Sequence, residues 1–179
     1  YWIPVACKGK SGYAFDGFLS VLPAPKACTN CEYSFGQVLE QYLDKNLKVT
    51  GAPSEKREGM INHIEKRYTN GFVLKKNVAD EGVPEFSMEL EMPRVRTAEA
   101  FLLCRQMQVY LLKNVSFPDK SLQRDIDENT GQKITVTGRG SASESIKIER
   151  VDKVSGGGGT IEFIRTPTGT RMRYHSWGS

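Results

Sequence analysis

Apolar residues recur at helical spacing in the segment that follows Ser34. The pattern i, i+3, i+4, i+7, i+8 places five of them on one face of an amphipathic helix. They are Phe35, Val38, Leu39, Tyr42 and Leu43. Ser34 and Gln37 form a capping box at the start. Asn46 and Gly51 supply stop signals after the last apolar position. The sequence therefore predicts a helix that buries this face.

A second helix is predicted to begin at Thr97, with Thr97 as its N-cap, and to continue for about fifteen residues. Its apolar positions again share one side. They are Ala100, Leu103, Met107, Tyr110 and Leu111. We expect this side to face the core.

Strand patterns lie between and after the helices. The alternation of apolar and polar residues over Phe86–Met92 predicts a half-buried strand. Asn70-Gly71 separates Ile61–Tyr68 from Phe72–Lys76, which favours a hairpin with a type I′ turn. The polar segment Ser116–Gln132 is predicted to be a loop. A β-meander is predicted over about residues 132–177. Its strands are Lys133–Thr137, Ser145–Val151, Thr160–Arg165 and Arg171–Trp177.

The chain begins with short strands and tight turns. Trp2–Cys7, Tyr13–Phe15 and Phe18–Leu22 have strand character and are separated by glycine turns. Pro23-Ala24-Pro25 then stiffens the chain into a linker. The expected fold class is α+β. A short β segment over residues 1–24 precedes a domain over residues 25–179, built from two main helices and mostly antiparallel β-sheet.

Composition narrows the classes of protein. The chain has 179 residues, of which 39% are hydrophobic, so it is long enough for a sizeable core. The 25 Lys and Arg exceed the 21 Asp and Glu by only 4, and the basic residues are scattered among acidic ones. A nucleic-acid-binding protein usually concentrates its basic residues, so we expect no nucleic-acid partner. Apolar runs stay well below the roughly 18–20 residues of a membrane span.

The four cysteines leave several interpretations open. Cys28 and Cys31 have the spacing of a redox motif or of half a zinc site, but a second such pair is missing from the sequence. A local disulfide and two unrelated thiols are the simpler alternatives, and we favour some disulfide pairing in an oxidising compartment. The pairing of Cys7 stays open. Cys104 lies among apolar residues and is predicted to be a buried, unreactive thiol.

Three short motifs lie in residues 2–22. They are the aromatic-led strand Trp2-Ile3-Pro4-Val5, the segment Gly12-Tyr13-Ala14-Phe15 after a glycine turn, and the closing Phe18-Leu19-Ser20. In this order they resemble the C-terminal half of a bacterial SH3-like (SH3b) domain. The remaining strands of such a domain would precede Tyr1. Residues 33–179 resemble no family that we recognise.

The SH3b resemblance implies a bacterial envelope protein outside the cytoplasm, in the periplasm or at the cell surface. SH3b modules generally bind peptidoglycan or peptides through loop aromatic residues. The resemblance therefore implies Trp2, Tyr13 and Phe15 as ligand-binding residues, with Asp16 as a polar neighbour. Packing against the second domain is the alternative role for these side chains. A cell-wall component or a protein is the expected partner, and the sequence leaves the oligomeric state open.

SH3b modules are often fused to cell-wall hydrolases, but the motifs of such enzymes are missing from the sequence. A cysteine peptidase needs its nucleophile at a helix start, whereas Cys104 lies within a predicted helix. His63 and His175 are the only histidines, and they lack the spacing of zinc ligands. Phosphate-binding and serine-nucleophile motifs are also missing. We expect no catalytic residue, no metal and no cofactor.

Two pairs of carboxylates have a spacing that suits acid–base chemistry. Glu89 and Glu91 alternate with apolar residues, so we expect them on the solvent side of a strand. Asp125 and Asp127 lie in the predicted polar loop. A catalytic role is not expected for either pair.

Arg171, Arg173 and His175 share one face of the last predicted strand. Arginine pairs well with carboxylate and phosphate, so this face suits anion binding. The favoured interpretation is a solvated face on which these residues pair with Glu149 and Glu162.

The sequence therefore predicts a non-catalytic cell-envelope protein that binds or scaffolds. One alternative is a carrier or sensor of a small apolar ligand, with a pocket between the helices and the sheet. Its lining would be Phe86, Met88, Leu90, Met107 and Tyr110. A second alternative is an enzyme of unrecognised type, which would need a cleft that brings His63 or His175 within hydrogen-bond distance of a carboxylate.

Overall fold

The computed structural model describes residues 2–15, 22–25, 35–80, 85–107, 112, 125–126, 132–137, 145–152 and 156–178. These residues form two helices, α1 (Phe35–Asn46) and α2 (Thr97–Gln106). They also form eleven strands. The strands are β1 (Trp2–Cys7), β2 (Lys10–Phe15), β3 (Ser54–Glu58), β4 (Ile61–Arg67), β5 (Val73–Ala79), β6 (Glu85–Pro93), β7 (Asp125–Ile126), β8 (Gln132–Thr137), β9 (Ser145–Asp152), β10 (Gly158–Thr166) and β11 (Gly169–Trp177).

Nine strands form one antiparallel sheet in the order β3-β4-β5-β6-β11-β10-β9-β8-β7, and β1 pairs with β2 separately. Strands that follow each other in sequence are neighbours on both sides of α2, because short connections favour antiparallel pairing. The two meanders meet where β6 pairs with β11, from Gly169 opposite Pro93 to Trp177 opposite Glu85. This arrangement confirms the α+β class, with two helices on a mostly antiparallel sheet.

Both helices pack on the same face of the nine-stranded sheet. The ring of Phe35 on α1 meets Tyr174 on β11, and the ring of Phe101 on α2 meets Phe163 on β10, at centroid distances of 4.9 and 5.8 Å. The fully buried strand residues on this face include Leu74, Leu90, Ile148, Ile161, Phe163 and Met172. Each such side chain stabilises the fold by about 1.5–3 kcal/mol. The other face of the sheet carries no helix among the described elements.

The helical spacing after Ser34 correctly predicted α1. The helix spans Phe35–Asn46, and Leu39 and Leu43 are fully buried on its inner side. The predicted cap residue, Ser34, lies outside the described residues. Periodicity was enough here because one side of the helix faces the core and the other faces solvent.

The predicted role of Thr97 as a cap is wrong. The N-cap of α2 is Arg96, whose backbone is extended and whose side chain makes no capping hydrogen bond. Thr97 is the first helical residue, and its Oγ1 lies 3.4 Å from Oγ1 of Thr170 on β11. α2 ends at Gln106, and residues 108–111 lie outside the described part.

The Asn70-Gly71 turn also differs from the prediction. A type I′ turn needs positive φ at both central residues, but within this described loop only Gly71 has one, at 88°. The N–H of Gly71 donates to the carbonyl of Tyr68, and the N–H of Tyr68 donates to that of Phe72. This is a three-residue hairpin loop with glycine in the left-handed region.

Two strands lack any signal in the hydrophobic pattern. All residues of β3 are polar or charged and exposed, as suits the edge of a sheet. β7 lies inside the segment that the sequence predicts to be a loop, and it pairs with β8. Both strands form by hydrogen bonding to a neighbouring strand, which local periodicity cannot reveal.

The predicted linker is attached to the main body through Leu22 and Pro23. Leu22 is buried with the core residues. The carbonyl oxygen of Pro23 accepts a hydrogen bond from the Tyr42 hydroxyl of α1 at 2.5 Å. The chain is therefore attached to the main body at residues 22 and 23, just before the predicted domain boundary between residues 24 and 25. The predicted strand Phe18–Leu22 falls on residues that, apart from Leu22, lie outside the described part.

Candidate functional site

Strands β1 and β2 bring together three of the four predicted ligand-binding positions. Trp2 is the pairing partner of Phe15, and Pro4 is that of Tyr13. Because alternate residues of a strand share a face, the register places Trp2, Tyr13 and Phe15 on one face of this hairpin. The fourth predicted residue, Asp16, lies outside the described residues.

A two-residue turn connects β1 to β2. Lys8 and Gly9 have φ of 48° and 74°, which are the two consecutive positive values of a type I′ turn. Gly9 takes the left-handed conformation in this turn, whereas Gly12 lies within β2 without a positive φ. The turn fixes the register that aligns the aromatic positions, because a one-residue slip moves alternate residues to the opposite face.

Cys7 on the hairpin and Cys104 on α2 are both free thiols. Cys7, at the end of β1, is exposed. Cys104, on α2, is buried, and its thiol donates to the sulfur of Met172 at 3.7 Å. Burial raises the pKa of Cys104 well above its usual value, as expected for an unreactive thiol. Cys28 and Cys31 lie outside the described residues, so their pairing stays a prediction.

The sheet face opposite the helices is polar, and we call it the open face. On β6 and β11 it carries Ser87, Glu89, Glu91, Arg171, Arg173, His175 and Trp177. The Nε of Arg173 donates to Oε2 of Glu89 at 2.9 Å. Arg171 Nη2 lies 3.5 Å from Oε1 of Glu91. The arginines therefore pair with carboxylates of β6.

The predicted pairing of Arg171 and Arg173 with Glu149 and Glu162 is wrong in its partners. Glu162 is directly opposite Arg173 in the β10–β11 register, but the ion pairs found for both arginines go to β6. The interpretation as a charge-paired sheet face holds. The pairing of strand β11 with β6 depends on tertiary structure, since more than seventy residues separate them in sequence.

The histidines lie on the same open face. His63 Nδ1 is 2.7 Å from Oδ1 of Asn77, and Asn77 Nδ2 donates to Oγ of Ser87 at 2.9 Å. His63 Nε2 lies 3.7 Å from Oε2 of Glu58, beyond hydrogen-bond distance. The ring of His175 lies beside that of Trp177, with centroids 5.4 Å apart. These contacts place both histidines on a polar face of the sheet.

Both carboxylates of the Glu89/Glu91 pair are engaged by cations. Lys75 Nζ lies 3.5 Å from Glu91 and 3.9 Å from Glu89, and the arginines of β11 approach from the other side. Glu89 and Glu91 are therefore members of an ion-pair network that spans β5, β6 and β11. Of the other predicted pair, Asp125 lies in β7 and Asp127 lies outside the described residues.

A second charged cluster lies beneath α1. Glu40 pairs with Lys66 at 2.5 Å and with Lys76 at 2.6 Å, and each of the three side chains is less than one-fifth exposed. Asp44 accepts hydrogen bonds from Lys66 and from the Tyr68 hydroxyl at 2.9 and 2.8 Å. Burial alone would raise the pKa of Glu40, but the two lysines outweigh it and hold the pKa below its usual value. The cluster ties α1 to β4 and β5.

The residues proposed to line an apolar pocket belong to the packed core. Met88, Leu90 and Met107 are buried among other core side chains. The ring of Phe86 packs against Tyr174, with centroids 6.0 Å apart. Tyr110 lies outside the described residues. These side chains therefore hold the helices on the sheet.

Among the described residues, no group of three or more histidine, cysteine, aspartate or glutamate side chains is placed to hold a metal ion. No described helix has both the length and the apolar character needed to cross a bilayer. No family model, curated protein or solved structure matches this chain.

Proposed function

We propose that this chain is a non-catalytic binding or scaffolding protein of the bacterial cell envelope. In this proposal the β1–β2 hairpin belongs to an SH3b-like module outside the cytoplasm. Trp2, Tyr13 and Phe15 contact peptidoglycan or a peptide, with Asp16 beside them. The large sheet domain serves as the scaffold that carries the module.

The register of the hairpin is the observation that supports this proposal most directly. It pairs Trp2 with Phe15 and places Tyr13 at the next position on the same face. In this proposal, aromatic side chains at these three positions stack on sugar rings or on apolar side chains of a peptide. Tyrosine and tryptophan also offer a polar group, which suits a ligand that is partly hydrated.

The separation of the two sheets is consistent with this division of roles. β1 and β2 pair only with each other within the described part of the chain. The linker after them is held by Leu22 and by the hydrogen bond from Tyr42 to Pro23. A module on a short anchored linker keeps its surface available while the large domain supplies stability.

Retention on purified peptidoglycan tests the proposal. The full chain, with any residues that naturally precede Tyr1, is sedimented with insoluble peptidoglycan and compared with a Tyr13→Ala/Phe15→Ala variant. We expect the variant to lose at least about tenfold in affinity, because aromatic residues dominate the binding energy of such surfaces.

Val5→Ala is the matched control because Val5 lies on the opposite face of the same hairpin. It should bind like the unmodified chain. A parallel titration with soluble cell-wall stem peptides distinguishes a peptide ligand from the glycan. Failure of the unmodified chain to bind either material would exclude the wall-binding function.

A further inference from the structure

The charges on the open face alternate in sign from strand to strand. At one level of the sheet, successive pairing partners are Glu65 on β4, Lys75 on β5, Glu89 on β6, Arg173 on β11, Glu162 on β10 and Lys147 on β9. We call these six residues the charge row. Three carboxylates and three cations alternate without a break, so the row carries no net charge.

The charge row is antisymmetric about its centre, which lies between β6 and β11. A residue on one side of this line has its opposite charge at the same distance on the other side. Glu89 corresponds to Arg173, Lys75 to Glu162 and Glu65 to Lys147. A twofold axis in the plane of the face, along this line, would set each charge against its opposite on a second copy.

We propose that the open face is the interface of a symmetric dimer of this chain. The occupant is a second copy, turned about a twofold axis that runs between β6 and β11. Such an isologous interface needs a surface that is complementary to itself. The antisymmetric charge row meets this requirement with six opposite-charge contacts.

On the four central strands, the neighbouring level of the face obeys the same relation. Glu91 on β6 corresponds to Arg171 on β11, which again joins opposite charges across the axis. Val73 on β5 corresponds to Ile164 on β10, which joins two apolar side chains that are partly buried within one chain. On the other side of the charge row, Ser87 corresponds to His175 and therefore meets a hydrogen-bonding partner.

The size and packing of the face suit such a dimer. Six strands about 4.8 Å apart and about seven residues long give roughly 700 Å² per copy, close to the roughly 800 Å² of a standard interface. Twisted sheets pack face to face at about 30°. The resulting offset grows with distance from the axis, so the strongest contacts involve β5, β6, β11 and β10.

Charge balance favours a second copy over a charged partner of another kind. The arginines of β11 are already neutralised by Glu89 and Glu91, so the face presents no single-sign patch to a nucleic acid or an anionic membrane. An alternating pattern is matched only by a partner with the same spacing and inverted signs. The twofold operation supplies such a partner at every position of the row.

A pair of charge reversals tests the dimer. Lys75 and Glu162 are separated by two intervening strands, β6 and β11, within one chain but face each other across the proposed axis. Lys75→Glu alone and Glu162→Lys alone each create two like-charge contacts per dimer. Each should weaken dimerisation at least about tenfold, measured by sedimentation velocity in low salt.

Mixing the two variants gives the decisive measurement. In a mixed dimer the carboxylate at position 75 meets the new lysine at position 162, and Glu162 of the first variant meets Lys75 of the second. The mixture should therefore dimerise within about threefold of the unmodified affinity. A role confined to one chain predicts no recovery on mixing, and this result would overturn the proposal.

Two further variants keep the test decisive if a charge reversal prevents folding. Thr160→Arg places a bulky charge on the open face and should abolish dimerisation. Gln41→Arg adds the same group to the solvent side of α1 and should leave it unchanged. An unmodified chain that stays monomeric at about 100 µM in low salt would also refute the interface. A specific interface of this size should associate at lower concentrations.

Discussion

Gly36 of α1 lies directly against the ring of Phe86 on β6. A Cβ atom at position 36 would come within 2.7 Å of Cε1 and Cζ of that ring and within 3.2 Å of Cε of Met88. The helix can approach the sheet this closely only because residue 36 has no side chain. The contact sets the height of α1 over the sheet.

Gly36→Ala should destabilise the fold by up to about 2 kcal/mol. Alanine favours a helix by about 1 kcal/mol over glycine, but the added methyl group overpacks the contact with Phe86, which costs about 1–3 kcal/mol. The free energy of unfolding in urea measures the balance. Gln41→Ala, on the exposed side of the same helix, should change it by less than about 0.5 kcal/mol.

Phe86→Leu should rescue the Gly36→Ala variant in part. The smaller side chain leaves room for the methyl group, so the two changes should couple favourably by about 1 kcal/mol in a double-mutant cycle. Additive effects of the two substitutions would show that this contact does not set the helix position.

Glu40→Gln should destabilise the fold by about 1–3 kcal/mol. The change leaves the largely buried ammonium groups of Lys66 and Lys76 without their shared carboxylate. Glu58→Gln is the control, because the Glu58 pair with Lys56 is more than half exposed and should contribute less than about 0.5 kcal/mol. Urea midpoints at neutral pH compare the two, and equal losses would argue against the buried cluster.

The effect of Glu40→Gln should shrink in acid. The pKa of Glu40 is lower in the folded chain than its usual 4.5. Its stabilisation is therefore complete above pH 4.5 and is lost as the pH falls through the folded value. The difference in unfolding free energy between the two proteins should be largest near neutral pH and smallest near pH 2. A constant difference would mean that this carboxylate is not held in its ionised form.

Tyr42→Phe should cost about 1 kcal/mol at neutral pH, because it removes the hydrogen bond to Pro23. Burial first, and the nearby Cys104 and Glu99, raise the pKa of Tyr42 from 10 to about 12. Between these values the phenol ionises in the unfolded chain but not in the folded one, so folding loses stability as the pH rises. The variant lacks this loss, and its deficit should shrink above pH 10 in alkaline unfolding curves.

Cys7 and Cys104 should differ sharply in reactivity. Brief alkylation of the native protein followed by peptide mapping should label Cys7 and leave Cys104 unlabelled. Burial and a raised pKa protect Cys104. In denaturant both should react at similar rates. Rapid native labelling of Cys104 would show that α2 opens from the sheet.

The elements with a clear local pattern were predictable. α1 and β6 each expose one face and bury the other, so period alone identified them. β3 was not predictable, because an edge strand of charged residues has no apolar face to reveal it. The type I′ turn predicted at Asn70-Gly71 was wrong. The pairing of β4 with β5 leaves three residues in the loop, whereas a type I′ turn has two.

The candidate site divides in the same way. Trp2, Tyr13 and Phe15 were named through the SH3b resemblance, and the register that aligns them on one face comes from the structure. The ion-pair partners of Arg171 and Arg173 could not be predicted from the sequence. Their strand is bordered by β10 on one side and β6 on the other, and only the fold brings the carboxylates of β6 beside them.

The sequence by itself determined the α+β fold class, through two amphipathic helices and several strands of alternating apolar and polar residues. These features are local, because they arise from side chains a few residues apart. Only the tertiary structure decided that β6 joins β11 and so merges two meanders into one nine-stranded sheet. That pairing depends on burying Leu90 and Met172 beneath the helices, a long-range gain that no local pattern records. The pairing of β6 with β11 also aligns the charge row. Each of its six residues lies on a different strand, so its antisymmetry appears only in the assembled sheet.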